Sequence, residues 1–451
     1  MTTDTTSAKS GFHLRDITKM FGGGGTSTLR QFGILGSLIV IIVLFEILTL
    51  IRNGPNGATL TSGNLINVIN QYSFILILAI GMVMVIIMGH IDLSVGSVAA
   101  FTGIIVAKSM QDWNLAWPLA ILLGLAVGAA VGAWQGFWVA YVGVPAFIVT
   151  LAGMLLFRGA QQWIGDAQTI PVPKGFQIIG TGYLPEIGLP LPFNIPTMLL
   201  ALVAVGWLVF FEIRTRRVQH KMGSESAPLW VSVTKVVLLS VVVLVAAWMF
   251  ATGRPGTSFP VPGLILLALV ILYTFVTSKT VFGRHIYAVG GNRQAARLSG
   301  VKDRWVDFFV MMNMSMLAAL AGMIFVARSQ ASGPNDGTGW ELDAIASVFI
   351  GGAAVAGGIG TVIGSIIGGL VMAFLNNGLA LLGQGADVVS MIKGIVLLFA
   401  VGIDVWNKQQ GRPSIIGFMT RRFGRQVDPA TETFEPNKTY QAPPVDKTSG
   451  K

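Results

Sequence analysis

TVFGRHIYAVGGNRQAARLSGV, residues 280–301, lies between two apolar runs at 261–278 and 305–328, and that contrast decides what kind of molecule the chain is. Charged residues make up only 11% of the 451 positions, so a basic, glycine-punctuated island stands apart. By local rules Gly290 and Gly291 loosen the backbone and Asn292 is an N-cap. RQAARLS then makes about two helical turns, and Gly300 supplies the stop. A short capped helix is therefore expected in a loop between two membrane-length segments.

Working outward, 53% hydrophobic residues, 56 glycines and a mean hydropathy of +0.71 exclude a soluble domain of this length. Several apolar runs reach the roughly 20 residues that a helix needs to cross a bilayer, and the alternating strands of a membrane barrel are absent. The expected fold class is an all-α polytopic membrane protein. Apolar runs fall at 31–51, 65–89, 93–109, 117–141, 145–164, 196–213, 231–251, 261–278, 305–328, 344–357, 361–383 and 387–405. That gives about twelve crossings, or ten if the shorter, glycine-rich ones are broken or re-entrant. The first run is too long and too far from Met1 for a cleavable signal, so it is an anchor that stays.

The net charge of +10 does not point to nucleic acid, because the basic residues cluster in short loops and at the tail. They occupy RTRRVQHK at 214–221, the 280–304 island, and Lys408, Arg412, Arg421, Arg422 and Arg425. With both termini cytoplasmic and an even number of crossings, all three fall on the inner side, while the opposite loops carry only scattered charges such as Arg52, Lys174 and Arg254. The domain organisation follows. Residues 1–30, with Lys9, Arg15, Lys19 and Arg30, form a cytoplasmic tail, disordered in preference to an interfacial helix on Phe12, Ile17 and Phe21. Residues 31–405 form the transmembrane domain, and 406–451 form a basic and then disordered tail. The proline-rich loop at 165–195 is expected to be an extended outer segment. GHIDLSVGS at 89–97 and GGIGTVIGS at 357–365 echo one another, as a parallel two-fold internal repeat would.

Chemistry is sparse. No Gly-x-x-x-x-Gly-Lys-Ser/Thr loop is present, so ATP and Mg have no cradle in this chain. His13, His90, His220 and His285 are scattered without ligand spacing, no serine sits in a nucleophile elbow, and there are no cysteines; catalysis and a metal site are not expected. Polar residues inside apolar runs carry more information, since a buried charge at bilayer depth needs a partner or water. Asp92 fits an N-cap carboxylate for the following helix, with Ser94 and Ser97 nearby. Asn67, Asn70, Gln71, Asp92, Ser94, Asn313, Asn376 and Asn377 are candidates for a polar path, although each amide serves equally well as interhelical glue. Arg158 and Lys393 are expected to snorkel, Glu341 and Asp343 to sit at the outer rim, and Trp113, Trp117, Trp163 and Trp340 to lie in interfacial belts.

Four stretches carry a family resemblance: IDLSVGSVAAFTG at 91–103, PAFIVTLAGMLLFRG at 145–159, FGRHIYAVGGNRQAARLSGV at 282–301, and GTGWELDAIASVFIGGAAVAGGIGTVIGSIIGGLVMAFLNNGLALLG at 337–383. The sequence resembles the permease subunits of bacterial ABC importers for monosaccharides, the ribose, xylose and multiple-sugar group. An extra region at roughly 196–260 looks like the longer xylose-type branch. His90 stands where the family usually has glycine. The resemblance implies a homodimeric permease in the inner membrane. It would take a sugar from a periplasmic binding protein and be driven by separate ATP-binding subunits that use ATP and Mg. It also implies that the island is the ATPase-coupling element, with Gly283, Arg284, Gly290, Gly291, Asn292, Arg293, Ala295, Ala296, Arg297, Leu298 and Gly300 as its residues and Ala295, Leu298 and the flanking arginines as its contact face. The alternatives are an ion-coupled secondary transporter using Asp92, Asp343 and Lys393, and an ABC permease for another small polar solute.

Overall fold

The computed structural model describes residues 26–187, 191–221, 229–253 and 257–409. The expected tails at 1–30 and 406–451, with their basic residues and Phe12, Ile17 and Phe21, lie almost wholly outside the described residues, as does Arg254. The chain divides into a unit of residues 1–406, which is the body treated below, and a unit of residues 407–451, of which only the end of the last helix is described.

Among the described residues the body is helical throughout, as the apolar runs predict. In chain order the helices are α1 (Thr26–Asn53), α2 (Ser62–Ile87), α3 (Val95–Asp112), α4 (Trp117–Phe137, continued as one π-helical turn over Trp138–Val142) and α5 (Ala146–Ile164). Next come α6 (Lys174–Thr181), α7 (Ile195–Lys221), α8 (Leu229–Ala251), α9 (Val261–Lys279), α10 (Val281–Gly291) and α11 (Arg293–Leu298). The series ends with α12 (Asp303–Ser329), α13 (Trp340–Ile350), α14 (Val362–Leu381) and α15 (Ala386–Gln409). Nine of these helices are long and apolar enough to cross a membrane. The expectation of broken helices holds at α13, whose 11 residues span only half a bilayer, and at α3, which is not among the nine.

Two helices form the centre. Most of α2 and α12 is buried, and they run antiparallel, with Gly81 against Met314 and Phe74 against Phe325. α4 packs antiparallel on α12 through Gly124, Gly128, Gly132 and Gly136. These glycines recur every four residues on one face, and a Cβ on them would meet Met323, Ala319, Met312 and Phe308 in turn. In a bilayer, where lipid is as apolar as leucine, such small-residue stripes let backbones approach and gain dispersion energy. α3 runs parallel to α12, with Ala99 facing Gly322 and Gly103 facing Val326. Its first residue therefore lies about halfway along α12, and α3 starts inside the body from an unwound link at 88–94.

α7 and α8 form a peripheral antiparallel hairpin, clasped by Arg216 Nε donating to Ser232 Oγ (2.9 Å) and by a Lys235–Glu212 ion pair (3.2 Å). Gly253, beyond the end of α8, lies against Ile66 and Ser62 at the start of α2. The basic 214–221 run is thus at the same end of the body as the 280–301 island, as its charge pattern predicts.

Four expectations need correction. The 165–195 loop is not merely extended: β1 (Ile170–Pro171) pairs with β2 (Ala331–Ser332), and α6 buries Phe176 completely against the body. Trp340 is not in an interfacial belt; it packs in a tilted cluster with Phe74 and Phe325, each at 4.5 Å, at the start of the half-length helix α13. Glu341 and Asp343 follow it into the interior instead of sitting at a rim, and Lys393 is drawn to Asp343 (2.9 Å) instead of snorkelling. The last three share one cause: α13 dips into the body, which a count of apolar residues does not reveal.

The packing predicts an asymmetry between two glycines. Gly132→Leu should drive a side chain into the Met312 backbone and lower the detergent-solubilised Tm by several degrees, about 1–3 kcal/mol of overpacking or more. Gly206→Leu on α7, with open space around it, should leave Tm unchanged. Equal Tm values for the two variants would contradict the stripe.

Candidate functional site

The island folds as two helices in series. Thr280 caps α10 by accepting from the Gly283 N–H (3.1 Å), and Gly283 is glycine because its Cβ position faces the carbonyls of Val276 and Thr277. Ile286 and Val289 anchor α10 in the core. Asn292 then caps α11, its Oδ1 accepting from the Ala295 N–H (2.9 Å), and Gly300 ends the element at φ +86°. Capping and stop stand as expected.

The role expected of Gly290 and Gly291 does not. The backbone is not loosened there, because α10 runs helically through both. Gly290 is needed for approach: its Cβ would overlap the carbonyl of Ile87 and crowd Gly358 N. That same Ile87 carbonyl accepts from the Gly358 N–H (2.8 Å), Gly358 in turn abuts Gly291, and the Tyr287 hydroxyl donates to the Gly360 carbonyl (2.7 Å). Three backbones meet at one point: the end of α2, the end of α10 and the α13–α14 link. The echoing stretches 89–97 and 357–365 thus touch one another. Each opens on a left-handed glycine, Gly89 at φ +79° and Gly357 at +82°, and each leads into a new helix.

On α11, Ala296 is buried whereas Ala295 is exposed and Leu298 is 90% exposed. Leu298 is thus a bare apolar side chain at the tip of a capped turn. The arginines divide. Arg293 points inward, not to the contact face: both η nitrogens bond the Asp307 carboxylate, Nη2 at 3.1 Å, and Nη1 pairs with Asp303 at 3.5 Å. Those hydrogen bonds and the two carboxylate charges hold the Arg293 guanidinium above its usual range despite burial. Arg297 bonds Asp303 (2.7 Å) while staying largely exposed, and Arg284 is exposed on α10. A cavity of about 550 Å³ opens beside α11, lined by His90, Arg293, Arg297, Arg304 and the α4–α5 turn. Sequence reasoning missed Asp303 and Asp307. Their signal was available, since two acids follow the arginines within one helical segment at the start of an otherwise apolar run.

The path candidates do not converge on one channel. Asp92 and Ser94 are fully buried; Asp92 Oδ1 accepts from the Ser94 backbone N–H (2.8 Å) and hydroxyl (2.6 Å), and Gln135 Nε2 donates to Ser94 Oγ (2.7 Å). Asp92 is therefore not the N-cap of α3, a position held by Ser94. Asn377 and Asn64 exchange two amide hydrogen bonds (2.9 and 2.8 Å) and clasp α14 to α2. Asn70 donates to the Tyr183 hydroxyl (3.1 Å), and Asn313 accepts from the Tyr273 hydroxyl. Asn67 lines a cavity of about 370 Å³ at the end opposite the island, Gln71 is half-buried on α2, and Asn376 keeps a buried Oδ1 without a partner. Arg158 does not snorkel fully, as one of its nitrogens is buried beside the Glu341 charge. Among the described residues no group of three potential metal ligands occurs.

Residues 64–401 match the family model described as branched-chain amino acid transport system / permease component. The chain is 39% identical over 383 residues to the xylose transport system permease protein XylH of Haemophilus influenzae, covering 85% of this chain and 98% of that one. It is 37% identical to the Escherichia coli K12 protein of the same name, over 86% and 95% of the two chains. Identity to the ribose import permease protein RbsC of Escherichia coli K12 is 35%, over 83% and 94%. No solved structure matches. A bundle of membrane-length helices, an exposed capped helix at its basic end and this match over most of its length agree: the chain is a membrane-spanning permease component and belongs to the branched-chain amino acid transport system / permease component family.

Proposed function

We propose that the chain imports xylose, or a pentose close to it, across the bacterial inner membrane, and that partner subunits hydrolyse the ATP. It would act as a homodimer, take the sugar from a periplasmic binding protein, and keep both termini and the 280–301 island on the cytoplasmic side. The names of the relatives support the sugar class, with xylose ahead of ribose by identity. The observation that carries the coupling role is α11 itself, a capped turn that presents Leu298 outward and is pinned from behind by Arg293 on Asp307 and Arg297 on Asp303. A partner that pushes on Leu298 pushes on a rigid body, because the turn has little freedom of its own. The Tyr287 and Gly290 contacts then deliver that push to the ends of α2 and the α13–α14 link.

Uptake of labelled D-xylose by vesicles holding the chain, its ATP-binding subunits and the binding protein should require ATP. Leu298→Asp should cut it by about tenfold or more by removing an apolar anchor from the docking interface. Undiminished uptake with that variant, together with normal retention of the ATPase, would remove α11 from the coupling interface. Because the chain has no cysteine, Leu298→Cys offers one label site. A membrane-impermeant maleimide should react with it only from the cytoplasmic face, and labelling of intact spheroplasts would reverse the orientation.

A further inference from the structure

We infer that His90 is a positioning residue that ties the unwound α2–α3 link to the coupling helix, so that α11 and the first turn of α3 move together. This rests on the coupling role proposed above and names the contact through which motion passes from α11 into the core.

His90 Nε2 lies 2.9 Å from Asp307 Oδ1 and 3.2 Å from Arg293 Nη2. One ring nitrogen cannot serve as donor and acceptor at once. Facing a carboxylate, it carries the proton and donates to Asp307, which already takes both η nitrogens of Arg293. A single acceptor on α12 thereby gathers the coupling helix on one side and the link on the other. Asp307 is 5% exposed, so these bonds form where water competes little.

Beyond His90 the link is fastened at close intervals. The Thr150 hydroxyl of α5 donates to the Ile91 carbonyl (3.3 Å), Asp92 holds Ser94, and Gln135 of α4 holds the Ser94 hydroxyl. Val95 then opens α3. A displacement of Arg293 thus reaches the start of α3 through consecutive hydrogen bonds, with no slack segment between.

Space filling does not account for the imidazole. His90 is 20% exposed and borders the cavity of about 550 Å³ shared with Arg297 and Arg304, so hydrogen bonding and not close packing sets its orientation. A glycine here would leave Arg293 and Asp307 paired but the link untethered.

The test compares His90→Gly with His90→Gln, whose amide keeps a donor for Asp307, in vesicles holding the full transport complex and the binding protein with D-xylose. His90→Gly should hydrolyse about fivefold more ATP per sugar transported, and His90→Gln should recover most of the normal ratio. A role in stability alone would lower uptake and hydrolysis in proportion and leave the ratio unmoved, which would overturn the inference. Hydrogen exchange on the purified chain supplies a readout that needs neither ATPase nor sugar. His90→Gly should speed exchange about tenfold at both 91–95 and 293–298 while leaving α2 and α12 unchanged. Loss of protection at one stretch only would also overturn it. If Leu298→Asp retains full coupling while both exchange changes occur, the docking reading fails and the His90 tether stands.

Discussion

The structure depends on one constraint: wherever a helix breaks inside a membrane, the freed backbone groups must find partners within the protein. Two breaks, at 88–94 and 351–361, meet this demand by using each other, with the Gly358 N–H donating to the Ile87 carbonyl. The Ala354 N–H donates to the Ile359 carbonyl (2.9 Å), and Asp92 Oδ1 accepts from the Ser94 N–H. Only glycine lets the strands of this junction come close enough, and Gly290 brings α10 into the same contact. This junction is therefore made of backbone, which leaves few independent ways to move any one of its three members.

From that junction the rest follows in layers. α2, which leads into the first break, and α12 are mostly buried at the centre, and α4 lies against α12 on its glycine stripe. α7 and α8 are mostly exposed and touch the body at α2, so they can be present in this chain without altering the junction. The helix α11 is held outside the apolar body by charge. Arg293 and Arg297 pair with Asp303 and Asp307 at the first turn of α12, leaving Leu298 as the exposed feature. Rigidity behind and exposure in front are what the proposed coupling role requires.

Much of this was legible in the sequence. Each of the twelve apolar runs holds a helix, because hydropathy and length control membrane insertion, and the N-cap Asn292 and stop Gly300 acted by local geometry alone. What escaped depended on tertiary contact. Gly290 suggested flexibility, yet its constraint comes from Ile87, more than 200 residues earlier in the chain. Arg293 counted as a surface charge until Asp307 turned it inward, and Asp92 counted as a cap until Ser94 took that position. Trp340, Glu341 and Asp343 were misplaced because an 11-residue helix that enters and stops has the same composition as one that crosses. Of the polar path candidates, Asn377 illustrates the limit: an amide that could face a solute faces Asn64, and composition cannot distinguish the two.

The most direct measurement is on Gly290→Ala in the reconstituted complex, recording ATPase retention and sugar uptake together. One added methyl group must displace the Ile87 carbonyl or the Gly358 backbone without touching Leu298. The account predicts that the ATPase stays bound while uptake falls by about tenfold or more. Wild-type uptake from this variant would contradict a backbone junction that carries the stroke from the coupling helix into the membrane.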